Sequence, residues 1–497
     1  MEFALDSGSR LARYSGMRGL ITLVGLVAFL PIRANETVVE NYDVRVINPE
    51  RLPESLPATI SRLPGRYNFK PHIGRLPNGQ LVMFADHTHP EEIFTSQNVD
   101  RPSRSLTTHA VMYRSDDDGL TWNRGRHVKE LLGGHEPSVS IIDGVLFVQA
   151  TIHGSGWFPS PYAERHHAYV VIARSEDGGK TFTNTIFDRE VTGAGTDERI
   201  DCTRNILQLP DGRLWVGFGL GSRHRNAISD DLGLTWKLEE AEVSGSRYEG
   251  MNRSFFGESL VFYTNRGQLM MLVRVDYEHV RFENPLAHDP KYEGGTLSDN
   301  FDGEVLFKSV DDGTTWVPVQ AIGFPALMYP SIVKLAGNRM LLTYTVREIP
   351  PPGTGSIHPH VGIQAIVIEE RDDGTLDFDF SRDVAVIDDS TPASMRNAGG
   401  FGNTLQMPDG TFVTPFSYPL IDADILELAD RKEYLKEEVY DYWAGLQKTY
   451  PGRYKDIVKD DPALSELHLR RTFSALFLYG QAANKGGIAT GVVRWKL

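Results

Sequence analysis

Glu258 and Arg274 stand sixteen residues apart across a turn signal at Arg266-Gly267, so a hairpin would bring a carboxylate and a guanidinium to one end of adjacent strands. A carboxylate so placed can take or give a proton. A guanidinium offers two parallel N–H donors that match the two oxygens of an acidic ligand. The same pair would serve equally as a plain ion pair across the hairpin. Hydrolysis of a glycosidic bond uses two carboxyl groups, one acting as acid and the other as base or nucleophile. Glu258 is the first candidate, with Asp86 or Glu136 as its partner. Cationic residues recur at matching places elsewhere: Arg204, Arg253, Arg347 and Arg396, together with Lys70, His72, His135 and His153. Local cations in a chain of net charge −15 suit an anionic ligand.

The elements that would position these residues are announced by two repeats. Ser115-x-Asp117-x-Gly119-x-Thr121-Trp122 returns at Ser175–Phe182, Ser229–Trp236 and Ser309–Trp316, at spacings of 60, 54 and 80 residues. In this frame the Asp can accept hydrogen bonds from a tight turn, the Gly can take positive φ, and the aromatic can be buried behind the turn. A second signal, an Asn-Gly or Asp-Gly type of turn between apolar runs, occurs at Gly79, Gly144, Gly212, Gly267, Gly337 and Gly410. Its spacings of 65, 68, 55, 70 and 73 residues give six units. A worn copy of the frame, Arg371–Leu376, marks the fifth, and the sixth has none. Six units of four short strands predict an all-β, six-bladed β-propeller. Both kinds of turn would lie on one face of the disc. Residues seven to ten positions either side of each turn Gly would then lie on the other, where the candidates above collect.

The repeated frame resembles the Asp box of the sialidase (neuraminidase) superfamily, and the unit count matches that fold over roughly Tyr67 to Leu497. Gly257-Glu258 through Arg274 is similar to the sialidase stretch in which a Glu activates a nucleophilic Tyr and an Arg belongs to a triad gripping the substrate carboxylate. The resemblance implies an exo-sialidase-like glycosidase acting on an acidic glycan of sialic acid or uronate type, with no cofactor and no metal. The chain departs from the family at four places. Asn68-Phe69-Lys70-Pro71-His72 stands where an Arg is expected, and Phe401 where the family has its nucleophilic Tyr. The fifth-blade Arg falls near His360, and no counterpart of the acid/base Asp precedes Tyr113. Tyr418 or Tyr329 would have to replace the nucleophile. Two other classes fit the same residues. One is a polysaccharide lyase using His/Tyr acid–base chemistry from His87, His89, His135 and His153; the other is a glycan-binding propeller without catalysis.

The 497 residues suffice for one propeller, and the acidic balance argues against nucleic acid as a partner. Residues 17–34 carry a basic start and a 13-residue apolar run, too short for a stable membrane span; they read as a secretory signal, with Met17 as the start and export beyond the cytoplasm as the outcome. Residues 35–66 form a Pro-rich extension in which Asp43–Ile47 could be an edge or closing strand. Cys202 is the only cysteine, so no internal disulfide can form. A charged, helix-like insertion at 422–471 interrupts the last blade, which Thr472–Tyr479 and Ala489–Trp495 then complete. Tyr440, Tyr442 and Trp443 would give the insertion an aromatic wall over the cleft.

Overall fold

The computed structural model describes residues 36–64, 68–87, 109–132, 134–152, 169–195, 198, 200–220, 223–242, 258–275, 303–322, 327–346, 362–391, 399–419 and 488–497. By internal contacts the chain divides at 33/34, and every described residue belongs to the second part. The described residues are almost all β. Their one helix is a single turn, Arg189–Thr192, capped by the Asp188 carboxylate. Among them no helix is long and apolar enough to cross a membrane. The segment 422–471, expected to be a helical insertion, lies outside the described residues.

Each turn signal joins two antiparallel strands, and a third and fourth follow as a meander. Unit one runs Asn68–Arg75, Leu81–His87, His109–Ser115 and Arg126–Leu132. Unit two is Gly134–Ile142, Val145–Ile152, Tyr169–Ser175 and Thr183–Phe187. In unit three the first strand is split into Ile200–Cys202 and Leu207–Gln208, ahead of Leu214–Leu220, Arg223–Ser229 and Lys237–Glu242. Unit four is Leu260–Tyr263, Leu269–Val275, Gly303–Ser309 and Trp316–Ile322. Unit five is Leu327–Lys334, Arg339–Val346, Gly362–Glu370 and Val384–Asp388.

Unit six departs from expectation. Ile488–Trp495 pairs directly with Phe412–Pro419, so it is the third strand of that unit and not the fourth. The fourth is Ser55–Arg62, from the N-terminal side of the chain, which pairs with Gly491–Trp495 on the other edge. Thr472–Tyr479 lies outside the described residues. Residues 55–62, read as part of an extension, are thus built into the last sheet. Val38–Ile47 then pairs with Ser55–Arg62 along one edge and with Val384–Asp388 of unit five along the other. That bridge merges units five and six into one ten-stranded sheet where two separate sheets were expected.

The units contact one another in a closed cycle through their first strands. Val139 N–H donates to His72 Nδ1 (3.0 Å), Ile206 N–H to Ser140 Oγ (3.0 Å) and Arg204 N–H to the Ser259 carbonyl (2.8 Å). Lys334 Nζ donates to the Thr264 carbonyl (2.9 Å), Thr404 N–H to Ser331 Oγ (3.0 Å), and Ile73 N–H to Asn403 Oδ1 (2.7 Å), which returns to unit one. Apolar side chains fill the space between successive sheets; Leu76, Val82 and Phe84 of unit one, for example, pack on Val139, Leu146 and Val148 of unit two.

The repeated frame closes the turn between third and fourth strands. Ser115 Oγ donates to Asp117 Oδ1 (2.8 Å) and accepts from Gly119 N–H (2.8 Å), while the Thr121 hydroxyl donates to Asp117 Oδ2 (2.6 Å). The same bonds recur around Asp177 and Asp231. The frame Gly is needed twice over, for positive φ and for close approach to the preceding unit. A Cβ on Gly179 would stand 2.9 Å from Met112 Sδ, and one on Gly313, at φ +98°, 2.8 Å from Trp215 Nε1. Gln80, beside the Gly79 turn, donates to Asp116 Oδ1 at 2.6 Å, so both kinds of turn share one end of the sheet.

Candidate functional site

At the opposite end, a non-glycine residue at or just before the start of the first strand of five units takes the left-handed region: Lys70 (φ 51°), Glu136 (56°), Glu258 (55°), Tyr329 (55°) and Phe401 (60°). Each lies eight or nine residues before its turn glycine, and Arg204 holds the equivalent place in the split strand of unit three. The ladder slips at Phe69/His72, His135/Ser138 and Met328/Ser331, which marks β-bulges. A bulge re-aims the extra residue, and here it turns Lys70, Glu136 and Tyr329 toward their neighbours across the cycle. Left-handed φ costs of order 1 kcal/mol or more for such residues and is kept only where the surroundings enforce it.

These six side chains meet. Glu136 is the electrostatic centre: Lys70 Nζ reaches its Oε1, Arg204 Nη1 lies 3.2 Å from its Oε2, and His135 Nε2 lies 3.3 Å from its Oε1. Its backbone N–H donates to Asp86 Oδ1 at 2.8 Å, and Asp86 Oδ2 stands 2.8 Å from His135 Nδ1. Burial would raise the Glu136 pKa, but Lys70, His135 and Arg204 outweigh it and hold the carboxyl well below its usual range. Burial would likewise lower the His135 pKa, yet the Asp86 and Glu136 carboxylates raise it. Glu136 is thus a fixed anion, badly suited to donate a proton. His72 goes the other way: burial, helped by the Arg204 charge, lowers its pKa to about 3 and keeps its ring neutral.

Glu258 forms the second focus. Its Oε2 takes the Arg274 guanidinium, and its Oε1 stands 3.5 Å from the Tyr329 hydroxyl. Burial first, then the nearby Glu136 carboxylate, raises the Tyr329 pKa well above its ordinary value. The ring is boxed in by the Arg204 guanidinium, 3.6 Å from its centroid, and by Phe401 edge-on at 4.6 Å. Lys70 Nζ sits 5.0–5.3 Å from the Phe69, Tyr329 and Phe401 rings. A cavity opens between units two, three and four, lined by Glu136, Asp201, Arg204 and Glu258 with the smaller polar residues Ser138 and Thr151.

Of the residues singled out in the sequence, Lys70, His72, Asp86, His135, Glu136, Arg204, Glu258 and Arg274 belong to this hub. Tyr418 does not share it: it is buried in the core between units five and six, its ring 4.8 Å from the Arg62 guanidinium. The reason is strand alternation. Ser417 turns its hydroxyl to accept the Lys70 N–H at 2.9 Å, so the next side chain faces the other way. His153, Arg253, Arg347 and Arg396 lie outside the described residues, as do His89 and His360. His87 Nδ1 pairs with Asn68 Oδ1 at 2.8 Å. Asp201 and the polar cavity walls Ser138, Gln149 and Thr151 add to the site; the signal for Thr151 is its place seven residues after Gly144, the same offset that Asp86 and Arg274 have from their own turn glycines.

No protein-family model matches the sequence, and no curated protein matches it. Solved structures similar to the chain include a Dyadobacter fermentans protein of unknown function, 18% identical over 76% of this chain and 94% of that one, at a TM-score of 0.49. The NanB sialidase from Streptococcus pneumoniae is 12% identical over 71% of this chain and 65% of its own (TM-score 0.45). Trypanosoma rangeli sialidase in complex with sialic acid is 16% identical over 85% and 63% (TM-score 0.41). The chain therefore spans a little under two thirds of either sialidase. Likeness of that degree assigns no residue a role.

Proposed function

We propose that the chain is a six-bladed, sialidase-type propeller that hydrolyses glycosidic bonds, with Tyr329 as nucleophile and Glu258 as its base. The observation that carries this reading is the Tyr329 hydroxyl 3.5 Å from Glu258 Oε1, with Arg274 holding the other carboxylate oxygen. A buried phenol with a raised pKa does not ionise unaided, so it needs a base in reach. In the first step the phenolic oxygen bonds to the anomeric carbon, its proton passes to Glu258, and the bond to the leaving oxygen breaks. The leaving oxygen takes a proton from Asp201, which lines the same cavity; an aryl leaving group departs as phenolate. Water then cleaves the tyrosyl glycoside, giving its proton to the Asp201 carboxylate, or to solvent where an aryl group has left Asp201 protonated, while Glu258 returns the phenolic proton to the departing Tyr329 oxygen. Residues 17–34 would export the protein, and 422–471 would wall the cleft as a helical insertion.

The test uses a panel of 4-nitrophenyl glycosides and a fluorinated glycosyl fluoride of whichever sugar is released fastest. Hydrolysis is expected, with the trapped sugar on the peptide containing Tyr329, and Tyr329→Phe should lose about three orders of magnitude in turnover while keeping its melting temperature. A label on another residue, or full activity in Tyr329→Phe, rejects the assignment. Release of an unsaturated uronate absorbing in the ultraviolet would point to a lyase instead.

A further inference from the structure

We infer that the sugar-binding subsite at this hub is built for an uncharged sugar, because Glu136 already occupies the place a substrate carboxylate would take among the cations. The inference concerns the same site and rests on the glycan-active reading above. Three cationic groups from three units converge on one internal carboxylate: Lys70 of unit one and His135 of unit two on Oε1, and Arg204 of unit three on Oε2. Glu136 cannot swing aside cheaply, since its backbone is held in the left-handed region by the Asp86 carboxylate. The remaining described cation of the hub, Arg274, is paired with Glu258.

Charge in the cavity itself points the same way. Its lining carries three carboxyl groups, Glu136, Asp201 and Glu258, of which Glu136 and Glu258 are ion-paired anions, against the single guanidinium of Arg204. An incoming carboxylate would meet like charge in a poorly solvated space and would have to displace Glu136 from partners it already satisfies. An uncharged sugar meets neither obstacle. Its hydroxyls can donate to the carboxylates and exchange hydrogen bonds with Ser138 and Thr151, which line the same cavity. The described cations Lys70, His135, Arg204 and Arg274 thus have local partners that require no acidic ligand.

The test measures equilibrium binding, by calorimetry, of methyl hexopyranosides, methyl pentosides, the matching methyl glycosides of hexuronic acids and the methyl glycoside of N-acetylneuraminic acid, the acids with their carboxylates free. The wild-type protein should bind at least one uncharged member ten-fold or more tightly than its carboxylated counterpart. Glu136→Gln should move that ratio at least ten-fold toward the acid, because Lys70 and Arg204 then lack their anion. Glu136→Asp, which retains the charge, should keep the wild-type preference and serves as the check should Glu136→Gln fail to fold. Preference of the wild-type protein for the carboxylated sugars overturns the inference, as does an unchanged ratio in a folded Glu136→Gln or the absence of binding to every member. Binding with the expected preference but no turnover of any aryl glycoside would reject the hydrolase reading and leave this one standing.

Discussion

The two ends of the sheets solve the same backbone problem in opposite ways. At the turn end, left-handed conformations fall on the frame glycines Gly119, Gly179, Gly233 and Gly313 and on the residues just before them, and every repeat uses the same Ser, Asp and Thr to satisfy the turn. At the hub, left-handed conformations fall on Lys70, Glu136, Glu258, Tyr329 and Phe401, five positions with four different side-chain chemistries. Repetition of residue types at one end says that the turn is a structural device. Repetition of geometry with divergent side chains at the other says that the positions are held fixed while their chemistry is free to change. Strain on large polar and aromatic residues, enforced by neighbours, is where a site is expected.

The largest expected effect tests that division at the hub. Glu258→Gln keeps the shape of the side chain and removes its capacity to take the Tyr329 proton, so turnover of an aryl glycoside should fall about 10³-fold. The melting temperature should move by only a few degrees. A variant that melts early and loses activity in proportion would make Glu258 a structural residue, and the contrast between the two ends would fail.

Next in size is the converse at the turns. Gly313→Ala adds a Cβ at φ +98°, 2.8 Å from Trp215 Nε1, where unit four abuts unit three. Left-handed strain and overpacking together should cost about 2–4 kcal/mol of stability. Chemical denaturation measures the loss, and the rate per folded molecule should be unchanged.

Local signals made one end of the molecule legible and only half of the other. The turn glycines and the Ser-x-Asp-x-Gly-x-Thr frame act within a few residues, so sequence alone located them. Counting outward from those glycines also reached the hub neighbourhood, because strand length is nearly constant between units. Distance along a strand does not settle which face a side chain takes, and Tyr418, one residue beyond the hub-facing Ser417, illustrates the error. Charge pairing was equally hidden: Lys70 and Arg204 read as open cations until the fold placed Glu136 between them. Ser55–Arg62 escaped notice as the closing strand because it contains Pro57 within a Pro-rich stretch, and a Pro lowers any strand signal.

A third prediction uses pH to separate the ends. His135 has a folded pKa raised by Asp86 and Glu136 against its burial, so its contribution to stability is full below its unfolded value of about 6.5 and is lost as pH rises through the folded value. His135→Gln should cost on the order of 1–3 kcal/mol at pH 6, as loss of charge-assisted hydrogen bonds implies, and less at pH 9. A cost independent of pH would mean that the ring is held neutral.

The smallest effect is expected from a turn carboxylate, and its sign is opposite. Asp231 accepts from the Thr235 hydroxyl (2.6 Å), the Thr235 N–H (2.8 Å) and the Ser229 hydroxyl (2.8 Å). Those bonds favour the anion, chiefly through Thr235, and hold its pKa below the usual carboxylate value. A depressed folded pKa gives stability that is present above about pH 4 and lost as pH falls through the folded value. Asp231→Asn replaces one acceptor oxygen by an NH₂ group that must face a donor, so the turn loses one bond outright. The carboxylate is largely solvated, which limits the cost to under about 1 kcal/mol at pH 7. The difference from wild type should shrink as pH drops toward 2, where the natural side chain is itself protonated. Urea midpoints at pH 7, 4 and 2.5 measure this. A gap that widens in acid would show that Asp231 contributes through something other than its charge, and the turn end would then no longer differ from the hub in the direction of its pH response.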